Sequence, residues 1–150
     1  MKNSTILIVD DDKDLLTAVK ILLGPKTKKI LTEGNPENLR AILEREKVDV
    51  VLLDMNFKSA LNTGNEGLFW LREIKSKFPK TAVVMITAYA AIDLAVKSLK
   101  LGASDFIVKP WQNEQLLNTL AEALKQNKTS EASISTKSIY PENPIIGTSA

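Results

Sequence analysis

The sequence predicts an α/β fold, a doubly wound parallel sheet with helices on both faces. Short apolar runs rich in β-branched residues alternate with longer stretches of helical spacing. The runs are apolar throughout rather than every second residue. That pattern belongs to strands covered on both sides, as in parallel sheets.

Ile6-Leu7-Ile8-Val9 reads as a buried strand, and Leu15, Leu16, Val19, Leu22 and Leu23 follow it at helical spacing. Gly24-Pro25 should stop that helix. Residues 29–32 form a weak strand expected near a sheet edge. Asn35-Pro36 opens a helix with Leu39, Ile42 and Leu43 on one face, Pro36 suiting a first helical position. Residues 48–53 are a second strongly apolar strand, ending at Asp54. After a loop over 55–66 comes a helix with Leu68, Leu71, Ile74 and Phe78 inward, closed by Pro79. Residues 82–86 form a strand ending at Thr87. Ile92, Ala95, Val96 and Leu99 mark a helix stopped near Gly102. Phe106-Ile107-Val108 is the last strand, and Leu116, Leu117, Leu120 and Leu124 mark the last helix. With right-handed crossovers, this alternation suits a five-stranded, flavodoxin-like sheet of order 2-1-3-4-5.

Composition removes whole classes of chemistry. The 150 residues contain no Cys and no His. Disulfides, thiolate and imidazole metal sites, Ser-His-Asp triads and phosphohistidine acceptors are all excluded. The net charge is +2, from 20 basic and 18 acidic residues, so the totals make no case for nucleic-acid binding by this fragment. The first apolar run is too short for a signal core or a membrane span. A cytoplasmic protein with no membrane partner is expected.

In open parallel sheets, ligands sit at the carboxyl ends of the strands. The predicted strands end at Asp10-Asp11-Asp12, Asp54, Thr87 and Lys109. Clustered carboxylates repel unless some protonate or a cation binds. A site of oxygen donors suits Mg²⁺. The charges of Asp10, Asp11 and Asp54 balance one divalent cation and the Lys109 ammonium. Such a site suits phosphoryl transfer, which needs mainly positioning and charge neutralisation. Asp54 is best placed as a carboxylate nucleophile. Thr87 and Lys109 would hold the phosphoryl oxygens.

These strand-end motifs resemble those of receiver domains of two-component response regulators. They are Ile6 to Asp12, Val50-Val51-Leu52-Leu53-Asp54-Met55, Val84-Met85-Ile86-Thr87-Ala88 and Gly102 to Pro110. Each is weak alone; together, in order, they are highly specific. The resemblance covers residues 4–126. It implies Mg²⁺ on Asp10 and Asp11, with Asp54 as phosphoacceptor and the backbone carbonyl of Asn56 as a further ligand. It also implies Thr87 as switch hydroxyl, Lys109 as phosphate partner, Phe106 as switch aromatic and a cis bond at Lys109-Pro110. A histidine kinase would be the phosphoryl donor. The output would be altered homodimerisation. The domain would not be an enzyme, although it takes part in its own phosphorylation and dephosphorylation.

The sequence departs from the family after Asp54, where the loop is longer than usual and has no Pro; Gly67 is taken as the family's usual glycine. Residues 127–150 read as a Ser/Thr-rich linker leading into a truncated domain. Asn143-Pro144-Ile145-Ile146-Gly147-Thr148-Ser149-Ala150 is similar to the opening of the ATPase domain of sigma-54-dependent activators of the nitrogen-regulator type. That implies a longer parent that binds DNA through another domain.

Plainer roles compete for several residues. Asp12 or Asp14 serves as a helix N-cap. Phe106, Trp70 and Trp111 can be ordinary packing. A dehalogenase-like phosphatase would need a second Asp where Asn56 stands. A phosphorylation-independent dimerisation module would not need the acids and Lys109 intact.

Overall fold

A computed structural model describes residues 1–55 and 65–132. In chain order the elements are β1 (Thr5–Val9), α1 (Lys13–Leu23), β2 (Lys29–Glu33), α2 (Leu39–Arg45) and β3 (Val50–Asp54). Then come α3 (Asn65–Lys77), β4 (Ala82–Ala88), α4 (Ile92–Lys100), β5 (Asp105–Lys109) and α5 (Asn113–Ala132). The strands pair in parallel in the order β2-β1-β3-β4-β5, as the alternation predicts.

Successive side chains on a strand point to opposite faces, so each strand serves two cores. Leu7, Val9, Val51, Leu53, Val83 and Met85 pack against α2, α3 and α4. Ile6, Ile8, Val50, Leu52, Val84 and Ile86 pack against α1 and α5. This is why β1 and β3 are buried at every position and read as unbroken apolar runs. Full burial of one such side chain contributes about 1.5–3 kcal/mol. The edge strand β2 is only partly covered, which explains its weak sequence signal.

Four local expectations change. Pro36 begins a short 3-10 turn, Pro36–Asn38, which the Asn35 side chain caps; α2 itself starts at Leu39. Phe78 lies one residue past α3, although it still packs against the core. On α4 the inward face is Ala95 and Ser98, while Val96 and Leu99 are 47% and 41% exposed. Small residues let α4 lie close to β4 and β5, with Leu94 packed beside them and Val96 and Leu99 left outside. Lastly, α5 continues to Ala132. The polar stretch after Asn127 includes good helix formers such as Lys and Glu, so low hydrophobicity there did not end the helix.

Candidate functional site: the carboxylate cluster at the strand ends

The parallel sheet brings the carboxyl ends of β1, β3 and β5 together. Asp10 follows β1, Asp54 closes β3 and Lys109 closes β5. Asp10 is fully buried and Asp54 nearly so. One carboxylate oxygen from each of Asp10, Asp11 and Asp54 lies within 4.8 Å of the others. Lys109 Nζ reaches into the group, 3.1 Å from Asp10 Oδ2 and 3.7 Å from Asp54 Oδ1.

The local chain explains how Asp10 is held. Its Oδ1 accepts a hydrogen bond from the Asp12 amide at 2.9 Å. Asp12 caps α1, its Oδ1 accepting from the Asp14 and Leu15 amides. The capping role therefore falls to Asp12. Asp10 Oδ2 is buried and, among the described residues, has no well-directed hydrogen-bond donor; its contact with Lys109 is an ion pair by distance. A buried carboxylate oxygen in that condition is costly unless a cation is near. The cluster is hence able to hold a metal ion, and its all-oxygen donor set fits a hard divalent one.

Half-burial acts to lower the pKa of Lys109. The attraction of Asp54 and then Asp10 outweighs it and holds the amine above its ordinary 10.5. Lys109 is accordingly a fixed cation in the site.

Thr87 is buried near the end of β4, one residue past Ile86, which pairs with Asp54. Its hydroxyl donates to the Ala88 carbonyl at 3.1 Å. Phe106 is half-buried and packs against the core on the α2, α3 and α4 face. The Lys109-Pro110 bond is cis, as the motif implies. Asn56, and with it nearly all of the loop over 55–66, lies outside the described residues.

Gly67 shows why a glycine is needed there. A Cβ at this position would stand 2.7 Å from Met55 Cα and 2.8 Å from the Asp54 carbonyl oxygen. The Gly67 amide donates to the Met55 carbonyl at 3.0 Å, so the start of α3 is pinned to the end of β3. The sequence marks the glycine but not this close approach.

A separate cleft opens away from the cluster. It lies between α2 and α3, measures about 360 Å³ and is lined by Leu39, Leu43, Phe69, Trp70, Ile74 and Phe78 among others. None of Asp10, Asp11 and Asp54 borders it. Trp70 packs edge-on to Phe69 with centroids 4.8 Å apart, the packing role expected of it. Trp111 is partly buried against the α1 and α5 core.

The comparisons with known proteins agree with the geometry. The family described as "Response regulator receiver domain" matches residues 6–121. The chain belongs to the response regulator receiver family. The receiver is 35% identical over 125 residues to "Response regulator protein PilR" of Pseudomonas aeruginosa, covering 83% of this chain and 27% of that one. It is 37% identical over 131 residues to "Transcriptional regulatory protein ZraR" of Klebsiella oxytoca, covering 86% and 28%. It therefore spans little over a quarter of these relatives. Among solved structures, the N-terminal signal receiver domain of a two-component response regulator from Bacteroides fragilis is similar. The TM-score is 0.75 and identity 53%, with 82% of this chain and 98% of that chain covered. NtrX from Brucella abortus is also similar, with a TM-score of 0.78 and 30% identity over 86% of this chain and 28% of that one.

Proposed function

We propose that Asp54 accepts a phosphoryl group from the phosphohistidine of a histidine kinase. The observation that supports this is the convergence of Asp10, Asp11 and Asp54 on one point beside Lys109. An Asp54 carboxylate oxygen attacks phosphorus, a P–O bond forms and the P–N bond breaks. The imidazole leaves with the electron pair, and an acyl phosphate results. Asp10, Asp11, Asp54 and the Asn56 backbone carbonyl are the groups that would hold Mg²⁺. Bound there, the ion would offset the negative charge of the carboxylates and of the phosphoryl oxygens.

Lys109 is already a cation beside Asp54, so it pairs with the incoming phosphoryl oxygens without moving far. The Thr87 hydroxyl gives up its bond to the Ala88 carbonyl and donates to the phosphoryl group instead. Phe106 follows inward. This biases a two-state equilibrium of the face made by α4, β5 and α5. The readout is receiver homodimerisation, which controls a sigma-54-type ATPase and DNA-binding output beyond a linker. We place the receiver at residues 4–126 and assign it to the cytoplasm. It is a phosphoacceptor that assists its own phosphorylation and dephosphorylation. Tyr89, bulky and exposed, obstructs an attacking water and prolongs the phosphorylated state.

Treatment with acetyl phosphate and Mg²⁺, followed by mass spectrometry, tests the assignment. A single adduct on Asp54 is expected. No adduct, or one that survives Asp54→Asn, overturns it.

A further inference from the structure

The balanced charge totals hide a segregation that the parallel sheet creates. All five strands begin at one end of the molecule, opposite the carboxylates. The turns at that end carry lysines. Lys2 precedes β1, Lys26 and Lys28 precede β2, Lys47 precedes β3 and Lys80 precedes β4. All are exposed.

Backbone hydrogen bonds lace these turns side by side. The Lys28 amide donates to the Ser4 carbonyl at 3.0 Å, Asp49 to Thr5 at 2.9 Å and Ala82 to Asp49 at 3.0 Å. Neighbouring strands lie about 4.8 Å apart, so the lysines form a row roughly 15 Å long across β2, β1, β3 and β4. It stops at β5, whose leading turn, residues 101–104, has no base.

The acids of these same turns are engaged. Glu46 pairs with Lys29 at 3.0 Å, and Asp49 Oδ2 accepts from the Thr5 amide at 2.8 Å. Lys2, Lys26, Lys28, Lys47 and Lys80 form no ion pair among the described residues. Helix dipoles do not account for the row. Their influence fades beyond the last turn, and Lys2, Lys47 and Lys80 stand outside any helix.

We propose that this basic row is a docking surface for the phosphate backbone of duplex DNA. A row of about 15 Å spans about four phosphates of one strand. Lysines act as point charges on phosphate and carry no bidentate base readout, so the contact is independent of sequence. DNA rather than a membrane surface is favoured because the row is narrow. The choice also rests on the reading above, in which the receiver serves a transcription-regulating output.

The test is anisotropy of a labelled duplex of arbitrary sequence, titrated with the chain at low and moderate salt. Weak binding is expected, falling roughly a hundredfold between 50 and 200 mM salt. A triple variant, Lys28→Glu with Lys47→Glu and Lys80→Glu, should lose it, and the corresponding triple Gln variant should lose most of it. Lys13→Glu, at the opposite end, should keep it. Acetyl phosphate labelling of each variant reports the fold and the Asp54 site independently of DNA. Binding without labelling would sink the proposed function and leave this one standing. Absence of salt-dependent binding, or its persistence in both triple variants, overturns the proposal. So does tighter binding to anionic phospholipid vesicles than to duplex. Self-association without DNA that the triple variants abolish would reassign the row to the acidic end of a second copy.

Discussion

The two ends of the sheet each hold a half-buried lysine, and the two lysines behave oppositely. Lys109, at the carboxyl end, faces Asp54 and Asp10, which raise its pKa despite burial. Lys75, at the other end, donates to the carbonyls of Pro79 and Thr81 at 3.0 and 2.9 Å, and burial lowers its pKa. One lysine answers full charges in the carboxylate cluster. The other answers peptide dipoles and closes a turn. The strand direction makes this difference, because it gathers the strand-terminal acids at one end only.

Lys109→Met should leave the carboxylates without their cation and slow phosphorylation by acetyl phosphate about a hundredfold, since fixed charge stabilisation of a transition state has that size. An unchanged rate would make Lys109 structural, like Lys75. Gly67→Ala should cost about 1–3 kcal/mol in urea unfolding and also slow phosphorylation, because the new methyl meets backbone rather than a side chain that can yield. Asp12→Ala should remove the α1 cap and cost about 1 kcal/mol, with Asp54 still labelled.

The smallest effect is a pH dependence. The folded value of Lys75 lies below its ordinary 10.5, so between the two the unfolded chain holds more protons and stability rises with pH. Lys75→Met should flatten that rise in urea midpoints. Lys109 has the opposite sign. Its folded value lies above 10.5, so its contribution is present below that pH and is lost as pH climbs through the folded value.

Much of the site was legible because chemistry and burial coincide. Asp54 ends the strand whose five residues are all buried, so the apolar run pointed at it. Asp10 and Lys109 likewise close or follow predicted strands. The faces of α4 were less legible. Spacing marked the helix by Ile92, Ala95, Val96 and Leu99, yet of these only Ala95 is fully buried and Ser98 joins it, since close approach to a sheet margin rewards small side chains over apolar ones. The basic row was invisible for a different reason. Its lysines are scattered through separate turns, and only the sheet makes them neighbours.

The sequence alone determined the fold class, the strand order and the identity of the acids and the lysine at the strand ends. Apolar periodicity and strand-terminal chemistry are local properties of the chain, so a linear reading reaches them. Tertiary structure decided which acid caps a helix and which faces the cluster. It also decided how closely Gly67 approaches Asp54, and how a nearly neutral chain becomes acidic at one end and basic at the other. Those depend on distances between residues far apart in sequence, which parallel pairing sets and composition does not record.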